Sequence, residues 1–117
     1  KHMDEDTHRK LTGVSNRLIL DNLLFVSGHN IPVYLRIPVI PGCNDSEENL
    51  RAVCDFAADL PSLVEINILP LHHLGKAKYV ALGLEYTIDD IPLVKDGVLT
   101  EMQHLVESFG LKCSIIG

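Results

Sequence analysis

Two segments, Ile31 to Ile40 and Leu63 to Leu69, are apolar and β-branched almost throughout, and a stretch of helical periodicity separates them. A strand with one wet face alternates apolar and polar residues, whereas near-continuous apolar runs belong to strands covered on both faces. Joining two such strands through a helix makes them parallel, because an antiparallel pair needs only a tight turn. A third pairing partner, Lys112 to Ile116, follows another helical stripe. The fold class is therefore α/β, with parallel strands, crossover helices and right-handed connections.

The rest of the chain fits around these strands. Asp4 to Leu11 is a polar helix start, capped by Asp4 or Asp6 and stopped at Gly13. Ser15 offers the next N-cap, Ile19, Leu20, Leu23 and Leu24 recur at helical spacing, and Gly28 is placed to close that helix. In the first strand Pro32 suits the opening residues, and Pro38 marks where ladder pairing should fail. Asp45 or Ser46 opens a helix with Glu47 and Glu48 in its first turn and Leu50, Val53, Cys54 and Ala57 as its inward stripe. Pro70 to about Val94 is mostly loop, with a helical turn near Lys78 to Leu82. Leu99, Met102, Leu105, Val106 and Phe109 form the last helical stripe, ended by Gly110. Three parallel strands with apolar faces leave an edge uncovered, so residues 1–117 read as a single domain that is part of something larger.

Composition narrows the functional classes. A formal net charge of −6 lacks the clustered Lys and Arg of a nucleic-acid surface. The apolar runs are too short for a membrane span, and the polar first ten residues are no secretory signal. Cys43, Cys54 and Cys113 form no Cys-x-x-Cys pair, so neither a zinc site nor an iron–sulfur site is expected from them. Three cysteines without a signal suit the cytoplasm.

His72 and His73 directly follow the second strand, where α/β folds place ligand chemistry. They are either a solvated surface pair or one imidazole serving a ligand. A metal site is disfavoured, since adjacent histidines on a strand point apart and no third ligand is near. Arg36 inside an apolar strand needs an anion, either an internal carboxylate or a ligand. Asn67 carries the same two readings. Gly75-Lys76-Ala77-Lys78 lacks the pattern of a P-loop, Asp45 to Glu48 is a helix start, and His104 lies on a helix facing solvent. No nucleophile–base set can be assembled, so no catalytic residue and no metal ligand is assigned.

Three stretches in order, KHMDEDTHRKLTGVSN, LRIPVIPGCNDSEEN and INILPLHHLGKAKYVALGLEY, resemble the glycyl-radical-enzyme activating enzymes, those of the pyruvate formate-lyase type above all. The most specific run is Leu69 to Tyr79, supported by Thr12 to Asn16. These are radical S-adenosylmethionine (SAM) proteins. The resemblance implies the C-terminal half of a partial (β/α)₆ TIM-like barrel, with the cluster-binding N-terminal half absent. It also implies that Lys1 ends a strand and pairs with the carboxylate of SAM, and that His72 lines the same pocket. Pro38 and Leu69 would lie near the adenine, and Arg36 would face the barrel interior. The cofactors implied are SAM and a 4Fe–4S cluster whose C-x₃-C-x₂-C ligands this chain lacks. The partner implied is a glycyl radical enzyme, in which one glycine loses hydrogen to a radical derived from SAM. Such a segment alone should be inactive and should self-associate through its bare apolar surface. The competing expectation is a non-catalytic α/β domain that binds a protein or oligomerises.

Overall fold

The computed structural model describes residues 1–73, 75–87 and 91–116. In chain order the elements are α1 (Glu5–Thr12), α2 (Arg17–Ser27), β1 (Val33–Val39), α3 (Glu47–Ala58), β2 (Leu63–Pro70), α4 (Lys76–Ala81), α5 (Asp96–Ser108) and β3 (Cys113–Ile115). The strands form one sheet in the order β1-β2-β3, parallel throughout. Within the loop expected from Pro70 to Val94, Leu74 and residues 88–90 lie outside the described residues. No described helix is long and apolar enough to cross a membrane.

Strand alternation sorts the side chains into two faces. Ile37, Val39, Ile66, Ile68 and Cys113 join Leu50, Val53, Cys54 and Ala57 of α3 and Leu99, Met102 and Val106 of α5 in one buried cluster. Both helices therefore cover the same face. Val39, Ile66, Ile68 and Val106 are fully enclosed, each contributing about 1.5–3 kcal/mol of apolar burial.

The opposite face differs from the sequence expectation. It carries Tyr34 and Arg36 of β1, Glu65 and Asn67 of β2, and Ser114 of β3, with Arg36, Asn67 and Ser114 in one register row. The sheet is thus apolar on one side only. Arg36 is exposed rather than buried, because β1 is an edge strand, whereas its neighbour Asn67 on the central strand is buried. Among the described residues its guanidinium makes no ion pair.

Other boundaries shift for local reasons. The strand begins at Val33 rather than Ile31, and its irregularity falls between Val33 and Tyr34. The ladder continues past Pro38 to the Val39–Pro70 pair, since an edge strand tolerates a missing N–H on its open side. The N-cap of α2 is Asn16, and Ser15 Oγ instead accepts from the Arg17 N–H at 3.1 Å. Gly28 is right-handed (φ −69°) and makes no left-handed cap; Asn30 takes the positive φ of 59° two residues later. At α1 the expectation holds. Asp4 Oδ2 accepts from the Thr7 N–H at 2.9 Å, and Gly13 closes the helix at φ 84°.

Candidate functional site at the carboxyl edge of the sheet

A network of buried carboxamides grips the main chain of the first three residues. Asn44 Nδ2 donates to the Lys1 carbonyl at 3.1 Å and to the Pro38 carbonyl at 2.6 Å, while its Oδ1 accepts from the Ile40 N–H at 2.8 Å. Asn49 Oδ1 accepts from the Met3 N–H at 2.9 Å, and its Nδ2 donates to the Asn44 carbonyl at 3.1 Å. Asn16 Nδ2 donates to the carbonyls of His2 and Met3 at 3.1 and 2.8 Å. All three asparagines are buried. Buried amides left unpaired are costly, so a satisfied network of this kind defines one geometry.

His8 completes the grip from α1. The Lys1 main-chain nitrogen lies 3.1 Å from its Nδ1, and the His2 N–H donates to the same atom at 3.4 Å. Both partners are donors, so Nδ1 accepts and the ring proton sits on Nε2. That Nε2–H is buried and has no partner among the described residues. Burial, followed by the positive charges nearby, holds the His8 pKa below its ordinary value and keeps the ring neutral.

These bonds fix Lys1 beside Pro38, one residue from the end of β1. The Leu71 N–H donates to the Val39 carbonyl at 3.1 Å, which sets the residue before His72 against the same strand end. The main chains of Lys1 and His72 therefore stand at one edge of the sheet, the carboxyl edge. A cavity of about 140 Å³ along β1 is lined by Lys1, His8, Arg36 and Pro38 together with apolar residues of α2 and α3 such as Leu23 and Phe56. Leu69 lies beside Pro38 in register. The structure thus gathers Lys1, Arg36 and Pro38 around one cavity, with Leu69 beside them; Leu69 and His72 are not part of its lining.

Several groups were not foreseen. Glu65 Oε1 accepts from Asn67 Nδ2 at 2.9 Å, and its Oε2 accepts from Ser114 Oγ at 3.2 Å with Lys112 Nζ at 3.6 Å. These partners, Asn67 first, hold its carboxyl below the usual carboxylate range. Asn67 is structural here, pairing with a carboxylate rather than awaiting a ligand. His72 is exposed, and the His73 ring is bonded to Tyr86 and Ile91. The signal for the clamp was an asparagine capping α2, at position 16, and a pair flanking the start of α3, at positions 44 and 49.

No protein-family model matches the chain. The 4-hydroxyphenylacetate decarboxylase activating enzyme of Clostridioides difficile is 44% identical over 117 positions, covering 98% of this chain and 37% of that protein. The pyruvate formate-lyase 1-activating enzyme of Escherichia coli is 32% identical over 112 positions, covering 96% of this chain and 46% of that one. The crystal structure of a domain of pyruvate-formate lyase-activating enzyme from Bacteroides vulgatus matches the whole chain and 63% of its own length, at 31% identity with a TM-score of 0.80. The homologues of this chain are glycyl-radical-enzyme activating enzymes. The chain spans less than half the length of the curated activating enzymes it matches.

The cysteines present do not fit the iron–sulfur cluster that the resemblance implies. A cluster takes thiolates, but Cys54 and Cys113 are buried in the core, and burial pushes both thiols up to about 11. Among the described residues no three His, Cys, Asp or Glu side chains stand together as metal ligands. The carboxyl edge carries a different donor set, an ammonium at Lys1 and an imidazole at His72.

Proposed function

We propose that this chain is the C-terminal half-barrel of a radical SAM activating enzyme, acting in the cytoplasm on a glycyl radical enzyme of the pyruvate formate-lyase type. The observation that carries the reading is the carboxamide clamp. Four buried side chains, Asn16, Asn44, Asn49 and His8, are committed to holding Lys1 to Met3 at the carboxyl edge, next to where His72 leaves β2. In this reading the Lys1 ammonium pairs with the carboxylate of SAM and His72 borders the same pocket. Pro38 and Leu69 flank the adenine, and Arg36 faces the barrel interior. SAM held by these residues would supply the hydrogen-abstracting radical. The barrel residues of this chain orient the cofactor and keep water away from it.

The half-barrel reading also accounts for the open edge of β1. In that reading a neighbouring strand covers this edge, in keeping with the greater length of the activating enzymes.

Calorimetric titration of the full-length protein with SAM tests the assignment. Lys1→Ala and His72→Ala each weaken binding by about 10- to 100-fold, the range for one hydrogen bond to a charged group. Unchanged affinity in both variants would sink the cofactor site. The 117 residues alone generate no glycyl radical on a partner enzyme, as electron paramagnetic resonance would report.

A further inference from the structure

The connection between β2 and α5 has one histidine at its root with both ring nitrogens engaged. His73 Nε2 lies 3.1 Å from the Ile91 carbonyl oxygen, and Nδ1 lies 2.8 Å from the Tyr86 hydroxyl. A carbonyl only accepts, so Nε2 carries a proton, and the neutral Nε2–H tautomer lets Nδ1 accept from the Tyr86 hydroxyl. One tautomer therefore suits both bonds. The Tyr86 ring stands edge-on to His73 (5.6 Å, 76°) and to Tyr79 of α4 (5.3 Å, 81°). Main-chain bonds tighten the same cluster: Lys76 N–H to the His73 carbonyl at 3.1 Å, and Leu84 N–H to the Tyr79 carbonyl at 2.8 Å. Helix α4 contains no buried residue, and the His73–Tyr86–Tyr79 ring cluster is one of the contacts that hold it.

We propose that His73 is a positioning residue. By binding Tyr86 and Ile91 at once, it pins the α4 arm and the entry to α5 to the carboxyl end of β2, and so fixes the main chain that carries His72. One ring reaches partners 13 and 18 positions away, removing conformations that would otherwise have to be given up when ligand binds. The proposal rests on the reading of His72 as a SAM-pocket residue.

Two variants test it in the full-length protein. His73→Phe keeps the ring contact and removes both hydrogen bonds; Tyr86→Phe removes one. Nitrogen-15 spectra of the wild type should show His73 with a bare Nδ1 and a protonated Nε2, and Tyr86→Phe should shift the Nδ1 signal alone. Protease cleavage within 76–87 should rise about ten-fold in both variants, and the KM for SAM should rise about ten-fold with a smaller change in kcat. Cleavage and spectra identical to wild type overturn the strap itself. A loosened loop with unchanged SAM affinity overturns the positioning role alone. A wild-type protein that binds no SAM overturns the cofactor reading and the positioning role together.

Discussion

Asn44 uses Oδ1 on the Ile40 N–H and shares Nδ2 between two carbonyls 37 positions apart in sequence, those of Lys1 and Pro38. Asn44→Ala strands those main-chain groups in a buried place, which costs about 2–3 kcal/mol; urea denaturation reads the loss as a lower midpoint at unchanged slope. His8 acts through its charge state. Its folded pKa lies below the ordinary 6.5, so the unfolded chain binds the proton more readily. Stability from this group is fully present above pH 6.5 and is lost as pH falls from there toward the lower folded value. His8→Gln should flatten that slope in denaturation midpoints measured between pH 7.5 and about 5. A residue's partners were the least legible layer in the sequence. Asn16, Asn44 and Asn49 look like ordinary helix-start residues until the strand ends they bridge are placed side by side. Glu65 and Ser114 stand 49 positions apart, a pairing that local periodicity cannot show.

Helices and strands were largely legible because their signals are local. Apolar spacing marked the stripes of α3 and α5, and the acidic first turn with Ser46 marked the start of α3, where Ser46 Oγ accepts from the Asn49 N–H at 3.1 Å. Errors arose where a neighbour decides. The apolar content of β1 and β2 suggested burial on two faces, but helices α3 and α5 both take the same one, and Arg36 stands exposed on the other. Capping energetics separate two of the helices. Ser46→Ala removes a satisfied N-cap and costs about 1 kcal/mol of stability. Lys95 caps α5 without a side-chain bond, so Lys95→Ser should raise stability by a similar amount, about 1 kcal/mol. Thermal melts of the two variants should move in opposite directions.

At the scale of the molecule, the expected apolar exposure is present but displaced from the sheet to α2. Ser27 is the only buried residue of that helix, and Leu18 and Phe25 are 70% and 68% exposed, with Ile19 and Leu24 also open. What fastens α2 is polar: Ser62 N–H donates to Ser27 Oγ at 2.9 Å, and Ser62 Oγ donates to the Ser27 carbonyl at 2.7 Å. The isolated chain should self-associate through this helix. Sedimentation velocity should show oligomers that dissociate in a Leu18→Lys/Phe25→Lys double variant; oligomers that persist in it would place the contact elsewhere. The carboxamide clamp has a different kind of consequence. Asn16, Asn44 and Asn49 take hold of Lys1, His2 and Met3 only by amide N–H and C=O, groups that every residue except proline possesses. Met3 also packs on the core, and His2 Nδ1 accepts from the Asp4 N–H at 3.0 Å. The clamp itself makes no demand on the Lys1 side chain, so that side chain can be exchanged while the main chain keeps the same anchorage.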